Sequence, residues 1–253
     1  MLEIRNLTGG YSGKRILREI CAQIPSGKIT VILGPNGCGK STFLKAICGI
    51  LPADGGEVLI EGQNLLNLPA NLLARKVAYL SQNRQIPQTT VERLVLQGRF
   101  PYLSYPRRYG KADYAAAQAA MEEMEIAQFA DVPMEELSGG QRQKAYIAMA
   151  LAQNAQVLLL DEPTTYLDVS HQLRLMVEAR ALADLGKTVV MVVHDLSHAM
   201  HSGDHLLLMK DGRIVARGTP EEVFRSGAID DVFDVKLHRT PTPTGWQYYC
   251  TDG

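Results

Sequence analysis

The stretch ITVILGPNGCGKST, residues 29–42, decides the fold. The apolar run ITVILG predicts a buried strand, and KSTFLKAICGI after the glycine-rich loop predicts a helix that ends near Gly49. The pattern G-x-x-x-x-G-K-[ST] between a strand and a helix predicts a phosphate-binding loop. Such a loop attracts an anion because its backbone N–H groups point inward and the helix dipole adds its positive end.

We expect nine consecutive residues of this loop to contact a nucleotide. Lys40 supplies a mobile cation for the β- and γ-phosphates and is a catalytic candidate, while the Ser41 hydroxyl is a candidate Mg²⁺ ligand. The alternative is a chance glycine turn, and the apolar strand before it argues against that. The predicted contact residues are Gly34, Pro35, Asn36, Gly37, Cys38, Gly39, Lys40, Ser41 and Thr42.

Composition limits the kinds of protein that can carry this loop. The chain has 253 residues, enough for one large domain with a substantial core. It has 26 basic and 27 acidic residues, so no overall field suggests nucleic acid or anionic lipid as a partner, although local patches remain possible. Its four cysteines form no CxxC pair, which indicates reduced thiols rather than a zinc site.

Nothing in the sequence predicts export or insertion into a membrane. The N-terminus lacks the long apolar segment of a signal peptide. The apolar runs at 157–160 and 189–193 are far shorter than the ~20 residues that a spanning helix needs. We therefore expect a soluble, cytosolic chain that reaches a membrane only through a partner.

Short apolar runs alternate with helical stretches along the chain, which favours an α/β domain with a mainly parallel sheet. Further strands are predicted at VAYLSQ (77–82), VLLLDE (157–162) and TVVMVVHD (188–195), and each ends in polar residues. Ligands bind at the carboxyl ends of parallel strands, so these polar ends are candidates for a site.

The segment between residues 84 and 150 differs from the rest. TTVERLVLQG and KADYAAAQAAMEEMEI predict helices without strands, which indicates a helical lobe inserted into the sheet domain. One face of the second helix is expected to pack within the lobe. That face carries Tyr114, Ala117, Met121 and Met124.

We therefore expect one domain over residues 1–253. In the tail, VKLHRTPTPTGWQYY predicts two short strands around a TPTG turn, and no function is assigned to it. The predicted parts are an α/β core (1–83 and 151–224), a helical lobe (84–150) and a short tail (225–253).

The end of VLLLDE supplies two adjacent carboxylates. Asp161 leaves a buried strand and is suited to hold Mg²⁺ or its waters, whereas Glu162 can orient or deprotonate the attacking water. Neighbours in an extended chain point to opposite sides, so the two carboxylates can do separate jobs. The four apolar residues before them argue against a pair of surface acids that cap a turn.

A second glycine-rich turn, LSGGQ at 137–141, opens the predicted helix QRQKAYIAMALA but has no lysine. Its Ser138, Gly139, Gly140 and Gln141 resemble an anion-binding turn, because the backbone amides and the helix dipole favour a phosphate there. The chain has only one complete phosphate loop. We therefore expect this turn to close on a nucleotide held by a second copy of the chain.

With these motifs in this order, the chain resembles an ABC-type ATPase subunit over nearly its whole length. Gln82 resembles the Q-loop glutamine, which ligates Mg²⁺ and couples to the helical lobe. Leu167 and Asp168 in TTYLD resemble the D-loop, which places Asp168 among the nucleotide-binding candidates. His194 in VVHD resembles the switch histidine at the γ-phosphate, a catalytic candidate, and Tyr11 in GGYSGKR resembles the aromatic on which adenine stacks.

These assignments have structural alternatives. Taken alone, Gln82 and His194 would be loop and cap residues, and a tyrosine in a hairpin turn such as Tyr11 is common. Cys38 departs from the small residues usual in the phosphate loop. Its thiol would open the site to oxidative inactivation if it were reactive, and a tolerated variable position is the other interpretation.

Four histidines in VHDLSHAMHSGDH suggest a metal cluster, but their spacing argues against it. SGD predicts a turn into the strand HLLLMK, so His205 leaves the helix face that His198 and His201 share. We expect solvated histidines here.

Three segments narrow the resemblance. GRFPYLS (98–104), DEPTTYLDVSHQ (161–172) and GTPEEVF (218–224) resemble the ATPases that power bacterial uptake of iron-siderophores, haem or cobalamin. The alternative is a non-transport ABC ATPase of cluster assembly or repair. The 55-residue spacing from Gln82 to Leu137 is too short for the coiled coils of repair proteins, but it does not exclude cluster assembly.

The resemblance implies ATP and Mg²⁺ as cofactors and ATP hydrolysis coupled to import. It implies a nucleotide-sandwich dimer with a second copy, two transmembrane permease subunits and, indirectly, a substrate-binding protein, but no nucleic acid. The chain would then lie on the cytoplasmic face of the inner membrane.

Overall fold

A computed structural model describes residues 1–81, 86–163, 169–243 and 245–252, with only the backbone of Val169 and His171. Within them the strands are β1 (Leu2–Tyr11), β2 (Lys14–Ile24), β3 (Ile29–Leu33), β4 (Ala53–Ile60), β5 (Gln63–Asn64), β6 (Val77–Leu80), β7 (Val157–Leu160), β8 (Thr188–Val192), β9 (His205–Lys210), β10 (Arg213–Gly218), β11 (Val235–Thr242) and β12 (Gly245–Asp252). The α-helices are α1 (Lys40–Ile47), α2 (Ala70–Ala74), α3 (Val91–Gln97), α4 (Lys111–Glu123), α5 (Gly139–Ala152), α6 (Val169–Asp184), α7 (Leu196–Ser202), α8 (Pro220–Ser226) and α9 (Ala228–Phe233).

A six-stranded sheet in the order β10-β9-β3-β8-β7-β6 forms the centre of the core. Its strands from β9 to β6 are parallel, and β10 pairs with β9 in the antiparallel direction. Every residue of β3, β7 and β8 is buried, as expected for strands covered on both faces. The predicted strands are present but end before their polar residues, so Ser81, Asp161, Glu162 and His194 follow the carboxyl ends of β6, β7 and β8.

A second, antiparallel sheet in the order β2-β1-β4-β5 was not predicted from the sequence. Its buried side chains share one apolar cluster with α1 and with one face of the central sheet. Ile32 of β3 lies in that cluster, whereas Val31 and Leu33 lie in the cluster on the opposite face. Helix α1 therefore packs between the two sheets, and this packing fixes the position of the loop before it.

The predicted lobe contains α3, α4 and α5, which pack on one another. Ala117, Met121 and Met124 are buried as predicted, but Tyr114 is 46% exposed. Tyr114 lies in the first turn of α4, and its ring meets only the edge of Tyr109, with the ring centroids 6.5 Å apart. The apolar face of this helix is therefore one turn shorter than the sequence pattern predicted.

The tail forms the predicted pair of strands. β11 and β12 are antiparallel, and β12 packs against α7. Tyr248 is buried against Phe224, with ring centroids 5.7 Å apart, so the hairpin joins the core instead of hanging free. His205 begins β9 and so lies outside α7, as its spacing predicted.

Within the described ranges, no helix combines the length and the apolar character that crossing a bilayer requires.

Candidate nucleotide site

The glycines of the loop between β3 and α1 carry no side chains, so phosphate oxygens can approach the loop backbone closely. A Cβ atom at Gly34 would lie 2.3 Å from the carbonyl oxygen of Met209 and 2.7 Å from Cys38 Sγ, so only glycine fits. Gly39, with φ 106°, is the N-cap residue directly before α1, and no side chain caps the first N–H groups of the helix. The backbone donors at this helix start are therefore available to an anion.

Lys40 is not extended into solvent as a mobile cation would be. Its side chain is only 5% exposed, and Nζ donates to the carbonyl oxygens of Gly34 at 2.7 Å and Pro35 at 3.1 Å. The ammonium group thus lies against the loop that should hold the phosphates. A bound phosphate would exchange these carbonyl contacts for stronger, charge-assisted ones.

Cys38 points inward rather than towards a ligand. It is buried, and burial raises the pKa of its thiol despite the nearby Lys40, which lowers it. The reactive species of cysteine is the thiolate, so this thiol is poorly suited to oxidation. The structure therefore favours the interpretation of Cys38 as a variable packing position.

Asp161 follows β7 and is 2% exposed. Its two carboxylate oxygens accept hydrogen bonds from the Ser41 hydroxyl at 2.9 Å and from the Tyr79 hydroxyl at 2.8 Å. Burial and the neighbouring carboxylate raise the pKa of Tyr79, so its hydroxyl stays protonated and donates. Ser41 and Asp161, predicted from distant segments, therefore meet directly.

Glu162 contacts His194, whereas Asp161 is bound by Ser41 and Tyr79. The φ of Glu162, 48°, lies in the left-handed region, so the carboxylates are separated by a turn and not by the extended chain that the sequence suggested. This conformation costs roughly 1–2 kcal/mol in a residue other than glycine, and such strain is typical of functional sites. Glu162 Oε1 lies 2.7 Å from His194 Nε2, which follows the neighbouring strand β8.

The LSGGQ turn starts α5 in the predicted way. The Ser138 hydroxyl accepts from the Gln141 N–H at 3.3 Å, and the Gln141 side chain accepts from the Ser138 N–H at 2.9 Å. Nothing lies within 4 Å of a Cβ built on Gly139, so this face is open. Among the described residues, no hydrogen bond links this turn to the phosphate loop of the same chain.

Tyr11 ends β1 beside a two-residue turn, Ser12 and Gly13, that leads into β2. Both turn residues have positive φ, 49° and 79°, as in a tight hairpin turn. The hairpin borders the phosphate loop, because a Cβ on Gly39 would lie 3.1 Å from Ile16 of β2. Three other candidates, Gln82, Leu167 and Asp168, lie outside the described residues.

Comparison with known proteins agrees with this geometry. The family model for the ABC transporter matches residues 17–165, from β2 through the loop after β7. The chain belongs to the ABC transporter family. The predicted family, the phosphate-loop α/β fold and the assignment as an ATPase that binds ATP are thereby confirmed.

Two curated relatives of this ABC ATPase come from Bacillus subtilis (strain 168). The chain is 41% identical over 246 residues to the Probable siderophore transport system ATP-binding protein YusV, covering 96% of this chain and 89% of the relative. It is 40% identical over 244 residues to the Iron(3+)-hydroxamate import ATP-binding protein FhuC, covering 96% and 91%.

A solved structure is similar as well. It is a dimeric post-hydrolysis state of an ATP-binding cassette bound to ADP and Pi, with a TM-score of 0.73 and 30% identity. The match covers 87% of this chain and 99% of that one.

Tyr79 was missed from the sequence. It lies inside the run VAYLSQ, where an aromatic residue looks like one more apolar strand position. The signal is its register, since Tyr79 pairs with Leu159 on β7, two residues before Asp161. That register becomes visible only once the order of the strands is known.

Proposed function

We propose that this ABC ATPase powers the uptake of an iron-siderophore complex, with haem and cobalamin as the neighbouring substrate classes. Support comes from YusV and FhuC, whose names state siderophore transport and iron(3+)-hydroxamate import. Both are similar to this chain over nearly its whole length. These relatives favour an importer over the soluble ATPase of cluster assembly or repair.

The contact between Glu162 and His194 is the observation that carries the mechanism. Glu162 acts as the general base for the attacking water, and His194 orients that carboxylate and then contacts the γ-phosphate. The distance of 2.7 Å lets the histidine hold the carboxylate in one position. The Asp161 carboxylate has other partners, the hydroxyls of Ser41 and Tyr79.

The residues present fit Mg²⁺, because a hydroxyl and a carboxylate already lie within hydrogen-bonding distance and are the oxygen donors that Mg²⁺ prefers. Ser41 and Asp161, directly or through water, would hold the ion, and Gln82 is the third proposed ligand. When bound, Mg²⁺ neutralises charge on the β- and γ-phosphates. Lys40 and the loop amides bind the same phosphates from the protein side.

Two copies of the chain would form a nucleotide sandwich. The open face of Gly139 and the positive end of the α5 dipole suit the γ-phosphate of an ATP on a second copy. The dimeric solved relative with ADP and Pi supports this arrangement. Each site would then need residues of both copies, including Asp168 near the partner's nucleotide.

Two permease subunits would receive the movement of the closing dimer, and a substrate-binding protein would deliver the cargo to them. We place the permease contact on the lobe near residues 84–105, next to the Gln82 segment. The chain would thereby be held on the cytoplasmic face of the inner membrane.

Replacing Glu162 by Gln tests the catalytic assignment. The amide keeps the size of the side chain but cannot take the proton, so hydrolysis should fall about 10²- to 10⁴-fold while ATP still binds. ATP should then trap a dimer on a sizing column, and Ser138→Arg, which adds bulk to the facing turn, should abolish it. Glu123→Gln, an exposed glutamate at the end of α4, is the matched control and should behave as wild type. Hydrolysis at the wild-type rate by Glu162→Gln would refute the role of this residue.

Uptake tests the substrate. Cells that lack the chain should regain uptake of a radioactive ferric hydroxamate when they express wild type, but not with Glu162→Gln. If only cobalamin or haem uptake returned, the proposed substrate class would be wrong even though the ATPase assignment stood.

A further inference from the structure

A basic and aromatic surface lies at the end of the helical lobe. We call it the lobe tip and define it as residues 100–114, from the 3-10 helix after α3 to the first turn of α4. Phe100, Tyr105 and Tyr114 are 49%, 96% and 46% exposed. The exposed basic residues are Arg107, Arg108 and Lys111.

The positive charge of the lobe tip is not neutralised within the part of the chain that the structure describes. Arg107 lies over the ring of Phe100, with Cζ 4.6 Å from its centroid, and no described carboxylate pairs with Arg107 or Arg108. The one acid of the tip, Asp113, is already bound by Arg99 at 3.2 Å and by the Gly110 N–H at 2.9 Å. The protein as a whole carries a net charge of −1, so this is a local feature.

The base of the lobe tip is firmly attached. Arg99 donates to the carbonyl oxygen of Ala152 at 2.8 Å, and the Tyr102 hydroxyl donates to that of Gln153 at 3.0 Å. Arg99 also covers the ring of Tyr102, 3.8 Å from its centroid. The exposed side chains are therefore presented on a fixed support, which lowers the entropy lost when they bind.

We propose that the lobe tip binds the anionic phospholipid headgroups of the bilayer. Unpaired arginines attract such headgroups, and tyrosine and phenylalanine are side chains that settle at the boundary between headgroups and acyl chains. Residues 104–108 form an unbroken exposed run, and Tyr105 has almost no protein neighbour. A fluid lipid surface can mould around a run as exposed as this one and needs no preformed groove.

The inference rests on the proposed function in one respect. A permease that contacts the lobe near residues 84–105, a range that includes the first six residues of the tip, would hold the rest of the tip, with Arg107 and Arg108, close to the membrane. The tip contains none of the nucleotide-site residues, so ATPase assays and lipid-binding assays can fail independently of one another.

The expected affinity of the lobe tip for an anionic membrane is modest. A basic side chain near an anionic membrane contributes about five-fold to the binding constant, from about 1 kcal/mol each. Removing two charges should therefore weaken binding roughly thirty-fold. The attraction should also fall steeply with salt, because the screening length shrinks to about 3 Å at 1 M.

Sedimentation of the purified full chain with vesicles provides the test. We expect binding to vesicles that contain phosphatidylglycerol and not to pure phosphatidylcholine. Arg107→Gln with Arg108→Gln should lose most of this binding, and Tyr105→Ala should weaken it. Arg213→Gln with Arg217→Gln removes the same charge from the edge strand β10 and should leave it intact.

Three outcomes would overturn the proposal. They are equal loss of binding in the β10 control, equal binding to neutral vesicles, and no binding to either. If vesicle binding were absent but the lobe-tip variant failed to assemble with permease subunits in detergent, the partner would be an acidic protein surface. ATP hydrolysis in solution should be unchanged in all three variants, which shows that they fold.

Discussion

At the scale of single residues, Asp161 is a buried carboxylate that relies on two hydroxyl donors. Ser41 will have to turn towards a metal ion when one binds, whereas Tyr79 can keep its bond to the other carboxylate oxygen. Tyr79 therefore holds Asp161 in place while the ligand set changes. It is a positioning residue rather than a ligand.

We expect Tyr79→Phe to lower the free energy of unfolding by about 1–3 kcal/mol, because a buried carboxylate oxygen loses its donor. Chemical denaturation of the nucleotide-free protein measures this loss. Tyr114→Phe removes a hydroxyl from a half-exposed ring and should change the value by less than about 0.5 kcal/mol. Similar losses in the two variants would show that the hydrogen bond is unimportant.

The cysteines provide a second prediction at this scale. Burial raises the pKa of Cys38, that of Cys48 to about 11 and that of Cys250 as well, but Cys21 and Cys250 are exposed to solvent. At neutral pH a thiol reagent should label Cys21 and Cys250 first and leave ATPase activity intact, as peptide mass spectrometry can show. Early labelling of Cys38 with loss of activity would support the alternative interpretation, in which oxidation of a reactive Cys38 inactivates the site.

At the scale of elements, Asp204 links three segments at the end of the sheet opposite the nucleotide site. It accepts from Arg180 of α6 and, at 2.8 Å, from the N–H of Ile29 at the start of β3. Burial opposes its charge, but Arg180 and the Ile29 N–H outweigh burial and lower its pKa.

Because its pKa is lower in the folded state, the Asp204 carboxylate stabilises the protein above its unfolded pKa, about 4. Asp204→Asn should therefore lower the free energy of unfolding at pH 7 by about 1–2 kcal/mol. The difference from wild type should shrink as the pH falls from about 4 through the lower pKa of the folded state, below which the folded wild type is protonated too. Asp54→Asn, at an exposed position of β4, should show no such pH dependence in denaturation experiments.

The elements differ in how far the sequence reveals them. The parallel strands are continuous apolar runs, so β3, β7 and β8 could be predicted to within a few residues. β1 could not, because its register with β2 shifts at several positions and Asn6 has a φ of 47°. These irregularities destroy the alternation of buried and exposed residues by which a half-buried strand is recognised.

The candidate site was likewise only partly predictable from the sequence. The residue types at the strand ends identify the phosphate loop and the two carboxylates without a structure. The family resemblance placed His194 at the γ-phosphate but did not predict its contact with Glu162, and the contact of Tyr79 with Asp161 was not anticipated either. Both depend on which strands are neighbours in space, and a local pattern contains no such information.

At the scale of the whole molecule, the nucleotide site lies where the two apolar clusters meet. Helix α1 packs into one cluster. The residues directly before Asp161 and His194 belong to the other cluster. The complete site exists only when both clusters are folded. Binding of ATP·Mg²⁺ should therefore stabilise the entire domain rather than a local segment.

ATP·Mg²⁺ at a hundred times its dissociation constant should add about 2.7 kcal/mol to the free energy of unfolding. For a chain of this size that is a rise in Tm of roughly 5–11 °C, measurable by scanning calorimetry. Lys40→Ala should lose most of this rise at the same concentration, and a chelator should reduce it in wild type. Lys45→Ala, on the same helix, should keep it, and an equal rise in Lys40→Ala would count against the phosphate loop.

The folded-back position of Lys40 also affects what the site does between turnovers. An empty pocket with a bare ammonium group would capture any passing anion, whereas here the charge is occupied by carbonyl oxygens of its own loop. A ligand therefore has to offer more than a single negative charge to displace them, which selects for a polyphosphate with a metal ion. The same contacts favour product release, because the lysine regains its hydrogen bonds to the loop carbonyl oxygens as the phosphates leave.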